Sequence, residues 1–396
     1  MSRLKRSSHK GELRTGFTTG ACAAAASAAA ARALLSKQNP SNITITLPNG
    51  DNAEFAVNYL PADSGVLAQV IKDGGDDPDC THGLAIHALI EPINGHAIEV
   101  KGGLGVATVT LPGLELAVGQ PAINPVPKAN ILAMVERERK HSEQPTQGLV
   151  ITISVPKGEE AAKQTISERL GLIGGISILG TRGTVKPFST SAYAASVRQS
   201  IEIGTENGHR AFCLTTGGRT EAAAMKIYPQ FVPMQFIQAG DFIGVGLRCA
   251  KRCNANSIHL VVMIGKLCKL ISGRMMTHVS GHGIDFGLLA DRADHCGYPS
   301  HLVNEIANSR TGRQVLDLVR GTERQQAFLA DLCLLAQQHA SEYIKHQFPV
   351  EVTLVDFDGP QLANSFPINQ RDNESKSMVS QSGCSDHTEI MDKEAQ

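Results

Sequence analysis

The stretch RAFCLTTGGRTEAAAMKIY, residues 210–228, carries a buried-type strand, a glycine turn and a helix in one continuous run. The same order recurs twice downstream, in MQFIQAGDFIGVGLRCAKR at 234–252 and in SIHLVVMIGKLCKLISG at 257–273. Three successive strand–turn–helix units predict a parallel sheet flanked by helices. We therefore expect the C-terminal part of the chain to be a Rossmann-like α/β domain with a largely parallel sheet.

The preceding residues indicate an α+β domain instead. The alanine-rich run after the threonines at 18 and 19 predicts a helix through Leu35, capped by one of those threonines. ITITLPNGDNAEFAV, residues 43–57, alternates apolar and polar residues around an Asn-Gly turn, which predicts a β-hairpin. The exposed connection HSEQPTQG and the aperiodic polar C-terminus divide the chain into an N-terminal α+β domain at 12–145, the α/β domain at 146–362, and a polar, disordered tail at 363–396.

Composition excludes several classes of function. The chain has 396 residues, 42% of them hydrophobic and 19% charged, which is enough for a large core. A formal net charge of -1 gives no basic surface for nucleic acid, and no run reaches the ~18–20 apolar residues that span a bilayer. The 9 cysteines are scattered, as is typical of reduced thiols in a cytoplasmic protein. We expect a cytoplasmic protein without nucleic-acid or membrane partners; the oligomeric state stays open, a homodimer included.

Metal-ligand spacings occur, but they do not build a complete site. Cys249 and Cys253 lie one helical turn apart, and so do His278 and His282, yet neither pair has an obvious third ligand. The aspartate-rich loop DGGDDPDCTHG, residues 73–83, could bind a divalent cation through oxygen ligands or could be a solvated turn. We expect no protein-bound metal.

The best generic signal for a ligand site is LTTGGRTE, residues 214–221. A strand ends there, and Thr216, Gly217 and Gly218 lead into a helix whose free N–H groups can hold an anion. Asp241 follows the next strand, at roughly the 20-residue spacing where an acidic side chain meets ribose hydroxyls. These four residues predict a nucleotide-like ligand, although any strand-to-helix turn can need glycine and GxGxxG is absent.

Three further loops offer polar groups. LGTRGTVKPF, residues 179–188, could form a second backbone cradle with Arg182 and Lys186, or a tight turn with solvated charges. The segment GKLCKLISGRMMTHVSGHGID, residues 265–285, follows the third buried strand and offers Lys266, Arg274 and His278. The loop RTGFTTGAC meets the N-terminus of the alanine-rich helix, which is another potential carboxylate site.

Six long stretches appear in an order that resembles one known family. The chain is similar to the cobalt-precorrin-5B C-1 methyltransferase family of the oxygen-independent cobalamin pathway, from about Leu13 to Asp358. The resemblance rests on LRTGFTTGACAAAA, GGDDPDCTHG, QPAINPVPK, ISVPKGEEAAKQT, RLGLIGGISILGTRGTVKPFS and GKLCKLISGRMMTH.

The resemblance implies an enzyme that methylates C-1 of a ring-contracted cobalt corrinoid, with S-adenosylmethionine as the methyl donor. It also implies a two-domain α/β protein, and it places the cobalt in the substrate rather than in the protein. We expect the N-terminal domain to contact the corrinoid and the C-terminal domain to bind the donor. Composition and periodicity indicate only the two-part layout and the glycine turns, so the substrate comes entirely from the resemblance.

Site residues follow from where the charged side chains lie within these motifs. The substrate carries acetate and propionate arms, which cationic groups recognise. Candidate substrate contacts are Arg14, Lys128, Arg182, Lys186, Lys266 and Arg274. His82, Asp77 and His278 are candidates for a base that removes a proton after methyl transfer, but a mechanism without a side-chain base is equally consistent. Alternatives are a non-catalytic corrinoid carrier and a nucleotide-dependent ligase or kinase, although the GxxxxGK[ST] loop is absent.

Overall fold

The computed structural model describes residues 13–278 and 283–366. The chain divides into two compact units, and the division falls between His209 and Arg210. The predicted boundary between residues 145 and 146 is therefore wrong. The strand at Gly148–Ser154, which we had assigned to the second domain, pairs with two strands of the first unit's main sheet, so the sheet holds this segment in the first unit.

The first unit is built on a mixed five-stranded sheet with the strand order β4-β5-β6-β10-β7, in which only the β10–β7 pair is parallel. The unit also contains four two-stranded pairs: β1 with β13, β2 with β3, β8 with β12 and β9 with β11. Its strands are β1 (Gly16–Phe17), β2 (Asn42–Thr46), β3 (Asn52–Ala56), β4 (Asn58–Leu60), β5 (Val66–Ile71), β6 (Ala85–Ile93), β7 (Ile98–Gly102), β8 (Gly105–Val106), β9 (Thr108–Val109), β10 (Gly148–Ser154), β11 (Leu172–Ile173), β12 (Gly175–Ile176) and β13 (Thr184–Val185). Its helices are α1 (Thr19–Ser36), α2 (Pro125–Lys140), α3 (Gly158–Ala162) and α4 (Thr190–Glu206).

The alanine-rich helix α1 forms the centre of this unit. It packs against α2 and against β5 and β6, and it is buried on nearly every side. Alanine suits this place because its small side chain lets neighbouring backbones approach closely while it favours the helix. The predicted cap is confirmed, since Thr18 Oγ1 accepts a hydrogen bond from the Ala21 N–H at 3.1 Å. The predicted hairpin is confirmed as β2 and β3, with Gly50 in the turn at φ 92°.

The second unit contains the three predicted strand–turn–helix units, and their strands are parallel. The strand order is β15-β14-β16-β17-β18, where only β18 runs antiparallel to its neighbour. Its strands are β14 (Ala211–Thr215), β15 (Phe236–Gln238), β16 (Ser257–Val262), β17 (Val350–Val355) and β18 (Gln361–Asn364). Its helices are α5 (Gly218–Ile227), α6 (Ile243–Arg252), α7 (Ile264–Leu270), α8 (Phe286–His295), α9 (Ser300–Ala307), α10 (Gly312–Val319) and α11 (Gln325–Tyr343).

The predicted start of the disordered C-terminal tail, at residue 363, is wrong. Residues 361–364 form β18, so the predicted tail from residue 363 begins inside a paired strand. Polar composition suggested disorder here, but backbone hydrogen bonds to β17 order these residues as a strand. The rest of the predicted tail, from residue 367, lies outside the described residues. In the part of the chain that is described, no helix combines the length and apolar character needed to cross a membrane.

Candidate functional site

The glycine turn and the predicted acidic residue lie together at the carboxyl end of the second unit's sheet. The carbonyl oxygen of Thr215, at the end of β14, accepts hydrogen bonds from Ala239 N at 2.8 Å and Gly240 N at 3.1 Å. The turn after β14 and the turn after β15 are therefore joined through their backbones. This contact places Thr216 and Gly217 close to the chain that leads into Asp241.

The turn after β14 has a backbone that only glycine adopts readily. Gly217 has φ 154° and ψ 176°, a region that is essentially closed to residues with a Cβ. Thr220 Oγ1 fixes the turn by accepting from Thr216 N at 2.9 Å and donating to Gly217 O at 2.8 Å. Helix α5 begins at Gly218, and a Cβ placed there would meet no atom within 4 Å. The outer side of this helix N-terminus is therefore open.

Asp241 is held from two sides. Its Oδ1 accepts hydrogen bonds from Lys266 Nζ and, at 2.8 Å, from Thr277 Oγ1. Burial raises the pKa of the Asp241 carboxyl, but these two bonds and the nearby positive charge bring the pKa below its usual value. The second oxygen, Oδ2, has no hydrogen-bond partner among residues 13–278 and 283–366, so it remains available as an acceptor. Lys266, which we had predicted to contact the corrinoid, instead pairs with a predicted donor-binding residue.

The segment that follows α7 closes this network. Thr277 N donates to Asp241 O at 3.1 Å, and Lys269 Nζ donates to Thr277 O at 2.8 Å. Arg274 donates from Nη1 to Gly283 O at 2.7 Å, and the neighbouring His278 contributes to the lowered pKa of Asp241. Arg274 therefore stabilises the segment that follows α7. His278 is close enough to Asp241 to affect the pKa of its carboxyl. The histidine at position 282, which has metal-ligand spacing to His278, lies outside the described residues.

The other motifs come together in the first unit. We name the "triple-loop cluster" residues 14–18, 73–83 and 179–188. Strand β1 pairs with β13, Thr18 N donates to Gly183 O at 3.0 Å, and Phe17 N donates to Asp73 O at 2.7 Å. A Cβ on Gly16 would overlap the backbone of Gly74, so this contact requires glycine. The cluster explains why these separate stretches of sequence carry so much glycine.

Each aspartate of the loop at 73–83 is engaged by a donor inside the cluster. Arg14 pairs with Asp73 through its guanidinium, while its backbone N–H donates to Asp76 at 2.7 Å. Hydrogen bonding to Arg14 lowers the pKa of Asp73 to about 2. Asp77 Oδ1 accepts from Phe188 N at 2.9 Å. Asp79 accepts from Lys72 Nζ at 2.6 Å and from Thr81 N and Oγ1 at 2.8 and 2.6 Å.

These bonds revise several predicted roles. Arg14 already has a carboxylate partner in Asp73, so the geometry favours a structural role over a substrate contact. The aspartates bind protein donors rather than facing a common cation position, and among the described residues no group of three or more His, Cys, Asp or Glu could hold a metal ion. The N-terminus of α1 is also engaged, because Gly20 N donates to Leu179 O and Ala21 N donates to Thr18.

His82 has its tautomer fixed by the backbone. Gly74 N donates to His82 Nδ1 at 3.0 Å, so Nδ1 must be unprotonated and the neutral ring carries its proton on Nε2. The exposed edge of His82 then presents an N–H donor. In this geometry His82 is better suited to donating a hydrogen bond than to removing a proton.

Three predicted substrate contacts remain available. Arg182, Lys186 and Lys128 are exposed, and none has a hydrogen-bond or ion-pair partner in the described part of the chain. Arg182 and Lys186 belong to the triple-loop cluster. Lys128 lies on α2 and lines a separate cleft of about 210 Å³ together with Val100, Glu115 and Gln120.

The sequence analysis did not single out four residues that contribute to the triple-loop cluster or to the turns at the carboxyl end of the second unit's sheet: Lys72, Thr277, Arg219 and Phe357. Lys72 is 1% exposed and anchors the aspartate loop, and Thr277 braces Asp241. Arg219, on the first turn of α5, stacks on the ring of Phe357 with 3.8 Å to the centroid. A lysine next to a glycine-aspartate loop is the one available signal for Lys72. The others depend on contacts between segments that are far apart in sequence.

Comparison with known proteins identifies the family of this sequence. The CbiD family profile matches residues 6–187, and the profile of the CbiD C-terminal domain matches 276–365. Proteins named cobalt-precorrin-5B C(1)-methyltransferase are similar over most of their length. The one from Leptospira borgpetersenii is 42% identical over 91% of this chain and 97% of its own, and the one from Polaromonas sp. is 42% identical over 91% and 100%.

A more distant relative from Thermus thermophilus, with the same name, is 41% identical over 89% of this chain and 94% of its own. A crystal structure of a cobalamin biosynthesis protein (cbiD) from Archaeoglobus fulgidus is 28% identical, covers 66% of this chain and 81% of its own, and gives a TM-score of 0.38. The identities over nearly full length decide the assignment: the chain belongs to the CbiD family.

Proposed function

We propose that this chain transfers a methyl group from S-adenosylmethionine to C-1 of cobalt-precorrin-5B, giving cobalt-precorrin-6A in anaerobic cobalamin biosynthesis. The observation that carries the proposal is the identity of about 42% with proteins of that name over nearly the whole of both chains. The cobalt belongs to the substrate. We expect the enzyme to act in the cytoplasm, and a homodimer remains one expected assembly.

The donor is assigned to the carboxyl end of the parallel sheet in the second unit, which we interpret as Rossmann-like. Its first four strands have the order 2-1-3-4, and folds of this kind bind ligands beyond the carboxyl ends of their strands. The open N-terminus of α5 at Gly218 suits a carboxylate, and Oδ2 of Asp241 can accept from a ribose hydroxyl. Thr216 and Gly217 shape the turn between these two groups.

The corrinoid is assigned to the first unit. Arg182 and Lys186 are exposed cations without internal partners among the described residues, and they can pair with the acetate and propionate arms. Lys128 offers a third such charge. Lys266 and Arg274 leave the set of proposed corrinoid contacts, because Asp241 and a backbone carbonyl already engage them.

S-adenosylmethionine supplies a methyl group activated by its sulfonium sulfur, and the corrinoid supplies an electron-rich carbon. No protein nucleophile is required, so the task of the side chains is to bind and orient. Alignment of the reacting atoms can contribute ~7–11 kcal/mol in favourable cases. Asp77 and His82 both hold bonds inside the triple-loop cluster, and we therefore propose no base for this reaction among the first unit's candidates.

Calorimetric titration with S-adenosylhomocysteine, ATP and a stable cobalt corrinoid separates the proposal from its alternatives. The proposal predicts saturable binding of S-adenosylhomocysteine and of the corrinoid, and none of ATP. Binding of the corrinoid alone would favour a carrier, and binding of ATP alone would favour a ligase or kinase.

The donor site has its own test in Gly218→Val. A side chain at this position points into open space, so the variant should fold while its affinity for S-adenosylhomocysteine falls roughly tenfold or more. Leu334→Ala is a control in the same unit, because Leu334 is an apolar residue of α11 that is 44% exposed and lies outside the turns after the parallel strands. An unchanged affinity in Gly218→Val would remove the donor from this turn.

A further inference from the structure

Phe188 combines two features that oppose stability. Its side chain is 66% exposed, and its backbone lies in the left-handed region at φ 54°. A bulky aromatic residue is an outlier in that region, where glycine and asparagine are the usual residues. A turn needed only for the fold would be better served by glycine, and an apolar ring of this size gains nothing from facing water.

The surrounding structure holds Phe188 in this conformation. Asp77 accepts the Phe188 N–H at 2.9 Å, and the next residue, Ser189, caps α4 by accepting from Ala192 N at 3.3 Å. Asp77 is itself carried by a loop that is anchored through Lys72 and Arg14. Backbone strain that is fixed from several sides is characteristic of binding sites, where it presents a side chain in a defined direction.

The loop of Phe188 also supplies charges of the sign that a carboxylated ligand needs. Arg182 and Lys186 lie on it, both exposed and both without partners in the described part of the chain. Leu179, at the start of the loop, is 50% exposed. The loop therefore offers apolar surface beside positive charge, which matches a flat apolar ring system with carboxylate arms at its rim.

We propose that Phe188 is a substrate-binding residue whose ring packs against the face of the corrin macrocycle, while Arg182 and Lys186 pair with its carboxylate arms. This inference rests on the proposed function, and it makes Asp77 a positioning residue that aims Phe188 rather than a base. Aromatic rings contribute to such contacts through buried area and through ring-to-ring geometry.

The test compares four variants with the parent: Phe188→Ala, Phe188→Gly, Phe188→Trp and Leu104→Ala. Leu104 is a matched control because it is an apolar residue of the first unit, 68% exposed, outside the triple-loop cluster. Affinity is measured by titration with cobyrinic acid, a stable cobalt corrinoid with free carboxylate arms, and with S-adenosylhomocysteine. Stability is measured by urea unfolding.

The proposal predicts that Phe188→Ala and Phe188→Gly weaken cobyrinic acid binding about tenfold. Phe188→Trp keeps the affinity, and Leu104→Ala matches the parent. Phe188→Gly should be at least as stable as the parent, because glycine relieves the strained backbone. S-adenosylhomocysteine affinity stays constant in all four.

Unchanged corrinoid affinity in Phe188→Ala overturns the proposal, and so does an equal loss in Leu104→Ala. A loss of affinity accompanied by lower stability in Phe188→Gly would assign the ring to the fold instead. If the parent binds neither ligand, the proposed function itself fails, which is a separate outcome from failure of the variants alone.

Discussion

Single residues in the triple-loop cluster carry roles that differ from those their chemistry suggests. Asp77 and His82 have side chains that could remove a proton, and both lie in a glycine-aspartate loop of the family-like motifs, so they were candidates for that task. In the structure Asp77 binds the Phe188 N–H and His82 accepts from Gly74 N. The residue types were predictable, whereas these partners lie in contacts that the sequence does not encode locally.

Asp77 gives a prediction that separates positioning from proton removal. Asp77→Asn keeps an oxygen that can accept the Phe188 N–H, so methyl-transfer turnover should stay within about threefold of the parent. Asp77→Ala removes the acceptor, and its KM for the corrinoid should rise severalfold with a smaller effect on kcat. Steady-state kinetics of the two variants provide the check. A loss of several orders of magnitude in Asp77→Asn would show that Asp77 acts as a base.

At the scale of elements, the loop at 73–83 is anchored by a charge pair inside the first unit. Lys72 is 1% exposed, and its partner Asp79 has a side chain that is 23% exposed. Burial raises the pKa of Asp79, but hydrogen bonds from Lys72 and Thr81 bring it below its usual value. The stabilisation from Asp79 is therefore present above its unfolded pKa and is lost as the pH falls through the lowered folded value.

Removing one member of this pair should be costly. Lys72→Met leaves Asp79 without its cation, and the free energy of unfolding at pH 7 should fall by about 2–3 kcal/mol. The double variant Lys72→Met/Asp79→Asn should recover part of this loss, because no unpaired charge remains. Urea unfolding at pH 7, and at an acid pH below the lowered pKa of Asp79, measures both effects. A single variant as stable as the parent at pH 7 would contradict the anchoring role.

A substitution in helix α1 should increase the free energy of unfolding rather than lower it. Ser27 is fully buried, and its Oγ has no hydrogen-bond partner among the residues that the structure describes. Ser27→Ala removes that unsatisfied hydroxyl and favours the helix, so the free energy of unfolding should rise by about 1 kcal/mol. Ala25→Ser, at another fully buried position of α1, should lower it by a similar amount. Chemical denaturation checks both, and a destabilised Ser27→Ala would show that the hydroxyl is satisfied.

For the whole molecule, the sequence predicted the parallel strand–turn–helix units and the α+β character of the first unit because both depend on local periodicity. It failed at the division between the units. Strand β10 follows an exposed, polar connection that resembles a domain linker, yet it pairs with β6 and β7. Such a boundary depends on which distant strands pair with each other, and the composition of a segment does not predict that pairing. The candidate site residues divide in the same way: Gly217, Gly218 and Asp241 were predicted from local pattern, whereas the exposed ring of Phe188 and the buried Lys72–Asp79 pair were not.

Isotopic labelling follows the methyl group that the proposed reaction transfers to C-1 of the corrinoid. The protein is incubated without oxygen with cobalt-precorrin-5B and S-adenosylmethionine that carries a ¹³C-labelled methyl group. The expected product carries one labelled methyl per corrinoid, located at C-1 by carbon NMR, and an equal amount of S-adenosylhomocysteine is formed. Recovery of unlabelled corrinoid, or label at a different ring carbon, would contradict methyl transfer to C-1.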